Sequence, residues 1–184
     1  LLVVARDDRR IAALAAALAF FAEDVEIVEF PAWDCLPYDR VSPRPDIVAR
    51  RIHTLTKLAT RPPGAPPVVV LTTVSAVIQR VAPPAKFAEA VREISPKAGI
   101  SRDSLIEYLE RYGYGRAETV MEAGDYAVRG GIIDLFAPSH DMPLRLDFFG
   151  DTLDTIRSFD ALTQRTIGTL DSFQLEPIGE ITLD

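Results

Sequence analysis

Two arginines and a phenylalanine, each in a segment with the pattern of a β-strand, are the residues whose types and spacing suggest chemistry. Arg129 lies in the run YAVRGGIIDLFAP, residues 126–138, whereas Arg145 and Phe149 lie in LRLDFF, residues 144–149. A guanidinium can form two parallel hydrogen bonds with a carboxylate, and an exposed aromatic ring can fill a pocket on another molecule. These residue types therefore predict recognition of a partner rather than a chemical reaction.

Alternation along LRLDFF separates two faces, because successive side chains of a strand point to opposite sides of the sheet. The apolar set, expected in the core, is Leu144, Leu146 and Phe148, and the outer set is Arg145, Asp147 and Phe149. An arginine, a carboxylate and an aromatic ring on one outer face form a combination enriched at the centres of protein interfaces. The alternative is that Phe149 turns inward at a bulge before Gly150 and that Arg145 pairs with Asp147 or a neighbouring strand.

Arg129 requires a break in the alternation to lie on an outer face. With unbroken alternation it would share a face with Ile133 and Leu135, which have the types of core residues. Glycine tolerates the backbone angles that a bulge needs. We therefore expect a bulge at Gly130-Gly131 that resets the register.

Composition limits the class of protein. The chain has 184 residues and 48% hydrophobic content, which suits one large domain or two small ones. No apolar run approaches the roughly 20 residues that cross a bilayer, and the opening LLVVARDDRR lacks the charge order of a secretory signal, so we expect no membrane contact and a cytoplasmic location. The single cysteine, Cys35, is expected to be a packing residue. The net charge of -7 argues against a general nucleic-acid surface and favours protein partners.

Motifs for catalysis are missing from the sequence. It contains neither the G-x-x-x-x-G-K-[ST] phosphate loop nor the G-x-G-x-x-G dinucleotide motif. His53 and His140 have no Cys or His at zinc-ligand spacing. Asp134 and Asp147 could form an acid–base pair only if geometry brought them together. We expect no catalytic residue, cofactor or metal in this chain, and hence no enzyme activity of its own.

The first half of the chain predicts alternating strands and helices. The predicted elements are a strand at 1–5, a helix at 7–22, a strand at 26–30, a helix carrying Ile47 to Leu58, and a strand at 68–73. A further helix is expected to carry Val77, Ile78 and Val81, with Thr73 or Ser75 as its cap. This order predicts an α/β domain with a partial parallel sheet.

The second half predicts an α+β module. Its predicted elements are a strand at 90–96, a helix at 102–112 between the cap Ser101 and the stop Gly113, and strands at 118–124, 126–138, 144–150, 155–160 and 173–178. A helix followed by an antiparallel meander is typical of such a module. We expect residues 1–90 and 171–184 to form the α/β domain and residues 91–170 to be inserted into it.

Three segments of the chain carry a resemblance to a known family. They are W-D-x-L-P-Y-D at 33–39, Y-A-x-R-G at 126–130 and R-L-D-F-F-x-D at 145–151. With them, nearly the whole chain resembles the amino-terminal, UvrB-homologous module of the bacterial transcription-repair coupling factor, Mfd. The close alternative is a fragment of UvrB, the helicase subunit of excision repair, with its ATP site trimmed away. The short connection at 31–50 contains only Tyr38, where UvrB carries a tyrosine-rich hairpin, and this favours the coupling factor.

The resemblance implies a docking role and a fold. The α/β part would be a degenerate helicase-like domain, and the inserted module would imitate the surface of UvrB that binds UvrA. The matched motifs then make Arg129, Arg145 and Phe149 the UvrA contacts. In the family, a carboxy-terminal domain masks this surface in the resting full-length protein.

The resemblance also implies activities outside this chain. The full-length parent would be an ATP-dependent DNA translocase, with ATP and magnesium in its motor domains and with RNA polymerase and DNA bound by other parts. Two rival interpretations remain. The chain could be an ATPase fragment whose phosphate loop lies upstream, or a module that binds DNA directly, against which the acidic balance argues.

Overall fold

The structure, a computed structural model, describes residues 1–35 and 43–179. Its helices are α1 (Asp8–Phe21), α2 (Pro45–Ala59), α3 (Val74–Val77), α4 (Pro84–Ala90) and α5 (Arg102–Arg111), with a 3-10 turn at Pro96–Ala98. Its strands are β1 (Leu2–Ala5), β2 (Glu26–Phe30), β3 (Val68–Thr73), β4 (Arg92–Ile94), β5 (Gly115–Arg116), β6 (Asp125–Arg129), β7 (Ile132–Leu135), β8 (Leu144–Phe149), β9 (Thr152–Phe159), β10 (Thr166–Leu170) and β11 (Phe173–Leu175). Tyr38 of the W-D-x-L-P-Y-D segment lies outside the described residues.

The first part of the chain builds a three-stranded parallel sheet in the order β1-β3-β2. The β-branched run of β3 takes the central position, where neighbouring strands and helices cover it, as its continuous apolar pattern predicts. The buried side chain of Ile11 on α1 packs against Val69 and Leu71 of this strand. The predicted α/β arrangement of parallel strands and helices is therefore confirmed for this part.

The segment after β3 differs from the predicted helix. Thr73 does cap α3, since its hydroxyl accepts a hydrogen bond from the Ala76 N–H at 3.3 Å. However, α3 ends at Val77, and Ile78 and Val81 are exposed instead of forming its apolar face. A second helix, α4, follows with Pro84 in its first turn, where proline's fixed φ suits a helix start.

A six-stranded sheet in the order β10-β9-β8-β7-β6-β5 forms the second part. All its pairs are antiparallel except β5 with β6. Ser101 caps α5 as predicted, by accepting a hydrogen bond from the Ser104 N–H. Leu105 and Leu109 of this helix pack on one face of the sheet in the main hydrophobic core. The fold is thus mixed, with one parallel sheet and one largely antiparallel sheet.

Two features of the second part differ from the sequence prediction. Strand β11 pairs with β4 and places Phe173 and Leu175 in the same core as α5, so it belongs to the α+β module rather than returning to the parallel sheet. Residues 118–124 form turns instead of a strand. The Asp125 carboxylate accepts hydrogen bonds from the N–H groups of Met121 and Glu122, which replaces strand pairing there.

The two parts meet at the end of β11. The buried carboxylate of Glu176 lies 3.3 Å from Nδ1 of His53 on α2. The backbone carbonyl of Glu176 accepts a hydrogen bond of 2.7 Å from the hydroxyl of Tyr114. Within the described residues, the helices are too short or too polar to cross a bilayer.

Candidate functional site

The second face of the six-stranded sheet carries a buried carboxylate, Asp134, at the middle of β7. Its neighbours across the sheet are Ala127 on β6 and Arg145 on β8. The Asp134 side chain has no exposed surface. A charge at such a position requires partners, because an unpaired buried carboxylate is costly.

Arg145 supplies the main partner of Asp134. Its Nε donates to Oδ1 at 2.7 Å and its Nη2 donates to Oδ2 at 2.9 Å, a bidentate pair. These hydrogen bonds raise the pKa of Arg145 above its already high ordinary value. The guanidinium also lies 4.5 Å from the Phe159 ring centroid and donates to Oε1 of Gln164 at 3.4 Å. With 17% of its side chain exposed, Arg145 is engaged chiefly within the module, as the neighbouring-strand alternative predicted.

Arg129 reaches the same carboxylate from β6 without the expected bulge. Its Nη2 donates to Oδ2 of Asp134, yet 47% of its side chain remains exposed. The register runs unbroken from the pair Ala127 and Asp134 to the pair Arg129 and Ile132. Gly130 and Gly131 form a two-residue hairpin turn, with Gly130 at φ +60°. The predicted bulge is wrong because alternation cannot be counted through a two-residue turn that reverses the chain. Arg129 shares a face with its cross-strand partner Ile132 and therefore with Asp134, two residues further along β7.

Phe149 ends β8 on the outer face, with 89% of its surface exposed. Burial alternates along the strand, so the exposed ring follows the buried Phe148. The pairing with β9 does contain an irregularity, since Asp147 faces Thr155 and Phe148 faces Leu153. The extra residue lies on β9, and this is why Phe149 keeps its outward direction.

A second ion pair extends the charged face. The Asp147 carboxylate accepts hydrogen bonds from the Arg157 guanidinium and, at 3.1 Å, from the Thr155 hydroxyl. Arg157 lies directly opposite Arg145 in the β8–β9 register. Sequence reasoning missed Arg157, because its place opposite Arg145 depends on the register between β8 and β9, which alternation within one strand does not give. Asp134 and Asp147 bind separate arginines, which is a structural arrangement and not that of an acid–base pair.

The arginine face, defined here as Arg129, Asp134, Arg145, Asp147, Arg157 and Phe149, is suited to binding a protein. Its three guanidiniums exceed its two carboxylates, so it carries a net positive charge on a chain of net charge -7. Arg129 keeps N–H groups free to bind a partner's carboxylate, because half of its side chain is exposed. Phe149 supplies an apolar anchor beside these cations.

The other candidate residues occupy structural positions. The ring of His140 meets that of Phe173 edge to face at 5.6 Å, and burial lowers the pKa of His140. Cys35 is half-buried. Within residues 1–35 and 43–179 there is no group of three His, Cys, Asp or Glu side chains that could hold a metal ion.

Trp33, for which the sequence left core and interface open, packs inside the α/β part. The Arg51 guanidinium lies between the rings of Phe30 and Trp33, at 4.2 and 4.3 Å from their centroids. The same guanidinium donates to the carbonyl of Pro31 at 2.7 Å and to Oε1 of Gln79 at 2.9 Å. The ring therefore helps to hold a buried arginine at the carboxyl ends of the parallel strands.

Comparison with known families identifies the module that carries this face. Residues 93–180 match the model of the UvrB interaction domain. The match includes β11, in agreement with its place in the α+β core, and it contains the whole arginine face.

The particular proteins that the chain is similar to are transcription-repair-coupling factors. It is 36% identical to that of Haemophilus influenzae over 99% of the chain, to that of Escherichia coli over 88%, and to that of Myxococcus xanthus over 100%. These alignments cover 15%, 14% and 16% of the respective relatives, so the chain spans about one seventh of their length. The resemblance predicted from the three sequence segments is confirmed.

Proposed function

We propose that this chain recruits UvrA by presenting a surface like that of UvrB, as a step of transcription-coupled DNA repair. The observation that carries the proposal is the position of Phe149, an almost fully exposed ring on the same sheet face as the half-exposed Arg129, within a UvrB interaction domain. Large exposed aromatic side chains next to arginines are characteristic of binding hot spots. The relatives, which are named transcription-repair-coupling factors, support this role over that of a UvrB fragment.

The three predicted contact residues have different roles in binding UvrA. Phe149 fills an apolar pocket on UvrA, and Arg129 binds a carboxylate of UvrA through its free N–H groups. Arg145 is mostly buried, so it contacts UvrA little. It fixes the orientation of the Asp134 carboxylate and adds positive charge below the exposed surface. Asp134 holds both guanidiniums in fixed orientations before UvrA arrives, which reduces the entropy lost on binding.

The wider role belongs to a full-length protein like the relatives, of whose length this chain spans about one seventh. We propose that the α/β part is a degenerate helicase-like domain, a scaffold that hydrolyses no ATP. ATP and magnesium act in motor domains elsewhere in a cytoplasmic DNA translocase, which also contacts RNA polymerase and DNA. A carboxy-terminal domain of that full-length protein covers the arginine face at rest, so that exposure of the face is a population shift between closed and open forms.

A competition experiment tests the mimicry. Purified UvrA is mixed with the chain, and complex formation is followed by size-exclusion chromatography with increasing amounts of UvrB. Because one surface of UvrA serves both partners, we expect UvrB to displace the chain. A ternary complex of all three proteins, or no complex between UvrA and the chain, would contradict the proposal.

A further inference from the structure

The loop that joins β9 to β10, residues 160–165, is fixed by its own hydrogen bonds. The Asp160 carboxylate accepts hydrogen bonds of 2.7 Å from both the N–H and the hydroxyl of Thr163. The Gln164 N–H donates to the Asp160 carbonyl at 2.7 Å, and the Asp160 N–H donates to the Arg165 carbonyl at 2.9 Å. The hydrogen bonds from the N–H and the hydroxyl of Thr163 lower the pKa of Asp160. The loop is therefore a defined structure rather than a loose connection.

Leu162 lies in this loop with 82% of its surface exposed. The hydrogen bonds of Asp160 with Thr163 and Gln164 hold the backbone around this leucine. An ordered loop that presents a large aliphatic side chain to water gains no stability from that side chain. Single exposed apolar side chains are common on protein surfaces, so the link of this loop to the arginine face decides whether Leu162 binds a partner.

Gln164 ties the loop to the arginine face. It is the only residue other than glycine with positive φ among those the structure describes, at φ 58°. Left-handed backbone is unfavourable for glutamine, and such strain is found preferentially at functional sites. In this conformation its Oε1 accepts the hydrogen bond from Nη2 of Arg145, while its Nε2 donates to the Ala161 carbonyl at 2.7 Å. The strained residue thus fixes the loop against Arg145.

The loop follows β9 and Phe149 ends β8, so the two lie at opposite ends of this antiparallel strand pair. Phe159, the last residue before the loop, donates its N–H to the Pro143 carbonyl at the start of β8, whereas Phe149 ends β8. A six-residue strand spans about 17 Å. A standard interface of roughly 800 Å² on each partner is roughly 30 Å across, so one partner can cover both ends.

We propose that Leu162 is a second apolar anchor of the arginine face, held by the loop so that it enters an apolar depression on the same UvrA molecule that receives Phe149. This inference rests on the proposed function and deepens it. The partner surface would then carry apolar contacts at two ends and carboxylates between them, opposite Arg129 and Arg157. Gln164 joins the loop to Arg145 by a hydrogen bond, so the loop and the arginine face form one continuous surface. This continuity supports the binding of one UvrA molecule to both.

Isothermal titration calorimetry of UvrA with variants of the chain tests the second anchor. Leu162→Ala should raise the Kd about tenfold with no change in Tm, because the leucine makes little contact within the chain. Leu162→Met, which keeps an apolar side chain of similar volume, should stay within about twofold of the wild type. Ile78→Ala is the matched control, since Ile78 is an aliphatic residue that is 74% exposed in the α/β part.

The outcomes separate this inference from the proposed function. Unchanged affinity of Leu162→Ala, together with weakened binding of Phe149→Ala, would overturn the second anchor and leave UvrA recruitment standing. Equal losses for Leu162→Ala and Ile78→Ala would also overturn it, because the effect would not be local. A wild-type chain that does not bind UvrA would overturn both.

Discussion

Asp134 and Arg145 face each other across β7 and β8 and are joined by two parallel hydrogen bonds, of 2.7 and 2.9 Å. The carboxylate is fully buried and the guanidinium mostly so. In a buried pair, loss of one partner leaves the other charge uncompensated, and this costs more than the pair contributes as a whole. The arginine face is therefore part of the module's structure as well as a binding surface.

Asp134→Asn should destabilise the module and weaken UvrA binding together. The amide cannot balance the charges of Arg145 and Arg129, so we expect a loss of about 3 kcal/mol in the free energy of unfolding by urea denaturation. Asp147→Asn is the control. Because Asp147 is partly exposed, we expect its free energy of unfolding to fall by only about 1 kcal/mol. Equal losses of unfolding free energy in the two variants would contradict the claim that Asp134 is the main carboxylate partner of the arginines.

Arg129→Ala and Arg145→Ala should separate binding from stability. Arg129 is half-exposed and Asp134 keeps its bidentate partner without it, so the free energy of unfolding should fall by about 1 kcal/mol or less while UvrA affinity falls about tenfold. Arg145→Ala removes the bidentate partner, so about 3 kcal/mol of stability should be lost as well. Denaturation and calorimetry on both variants check the difference. A fully stable Arg145→Ala would contradict the account.

Gly131→Ala should distort the hairpin that places Arg129 opposite Ile132 on β7. A Cβ there would lie 2.7 Å from the backbone carbonyl oxygen of Phe148, which cannot move without breaking its strand. We expect a loss of about 2 kcal/mol, measured by urea denaturation. Gly115→Ala is the control, since a Cβ at Gly115 meets no atom within 4 Å. A Gly131→Ala chain as stable as the control would show that the hairpin shifts freely.

Stability should fall below neutral pH because of His140. Burial lowers the pKa of His140 below its ordinary value of 6.5, against opposing effects of Glu176 and Asp141. The unfolded chain then binds more protons, so the contribution to stability is complete above pH 6.5 and is lost as the pH falls through the lowered folded-state pKa. Urea denaturation between pH 5 and 7.5 should show a smaller slope for His140→Gln. An identical slope would contradict this assignment.

Local patterns in the sequence predicted the strands and helices whose signals are strong. The β-branched run of β3, the Ser101 cap and the alternation of LRLDFF each have a direct physical cause in the fold. The turn at 118–124 could not be predicted, because its hydrogen bonds come from Asp125, a residue outside it. Helix α3 likewise ends at Val77, before Ile78 and Val81, which helical spacing had placed on its apolar face.

For the candidate site, residue types were predictable and pairing was not. Arg145 and Phe149 followed from alternation within one strand, which needs no knowledge of neighbours. The role of Asp134 depends on two registers. That of β6 with β7 is set by the two-residue turn at Gly130-Gly131, whereas that of β7 with β8, joined by the longer connection at 136–143, depends on packing on α5. Arg157 was missed for the same reason.

The most direct test of UvrA recruitment compares Phe149→Ala with Phe21→Ala by calorimetric titration against UvrA. Both rings are almost fully exposed, at 89% and 83%, but Phe21 lies on α1, away from the arginine face. We predict that Phe149→Ala loses about 2 kcal/mol of binding free energy, roughly a thirtyfold rise in Kd, with an unchanged Tm, and that Phe21→Ala binds like the wild type. Wild-type affinity in a folded Phe149→Ala chain would contradict the account.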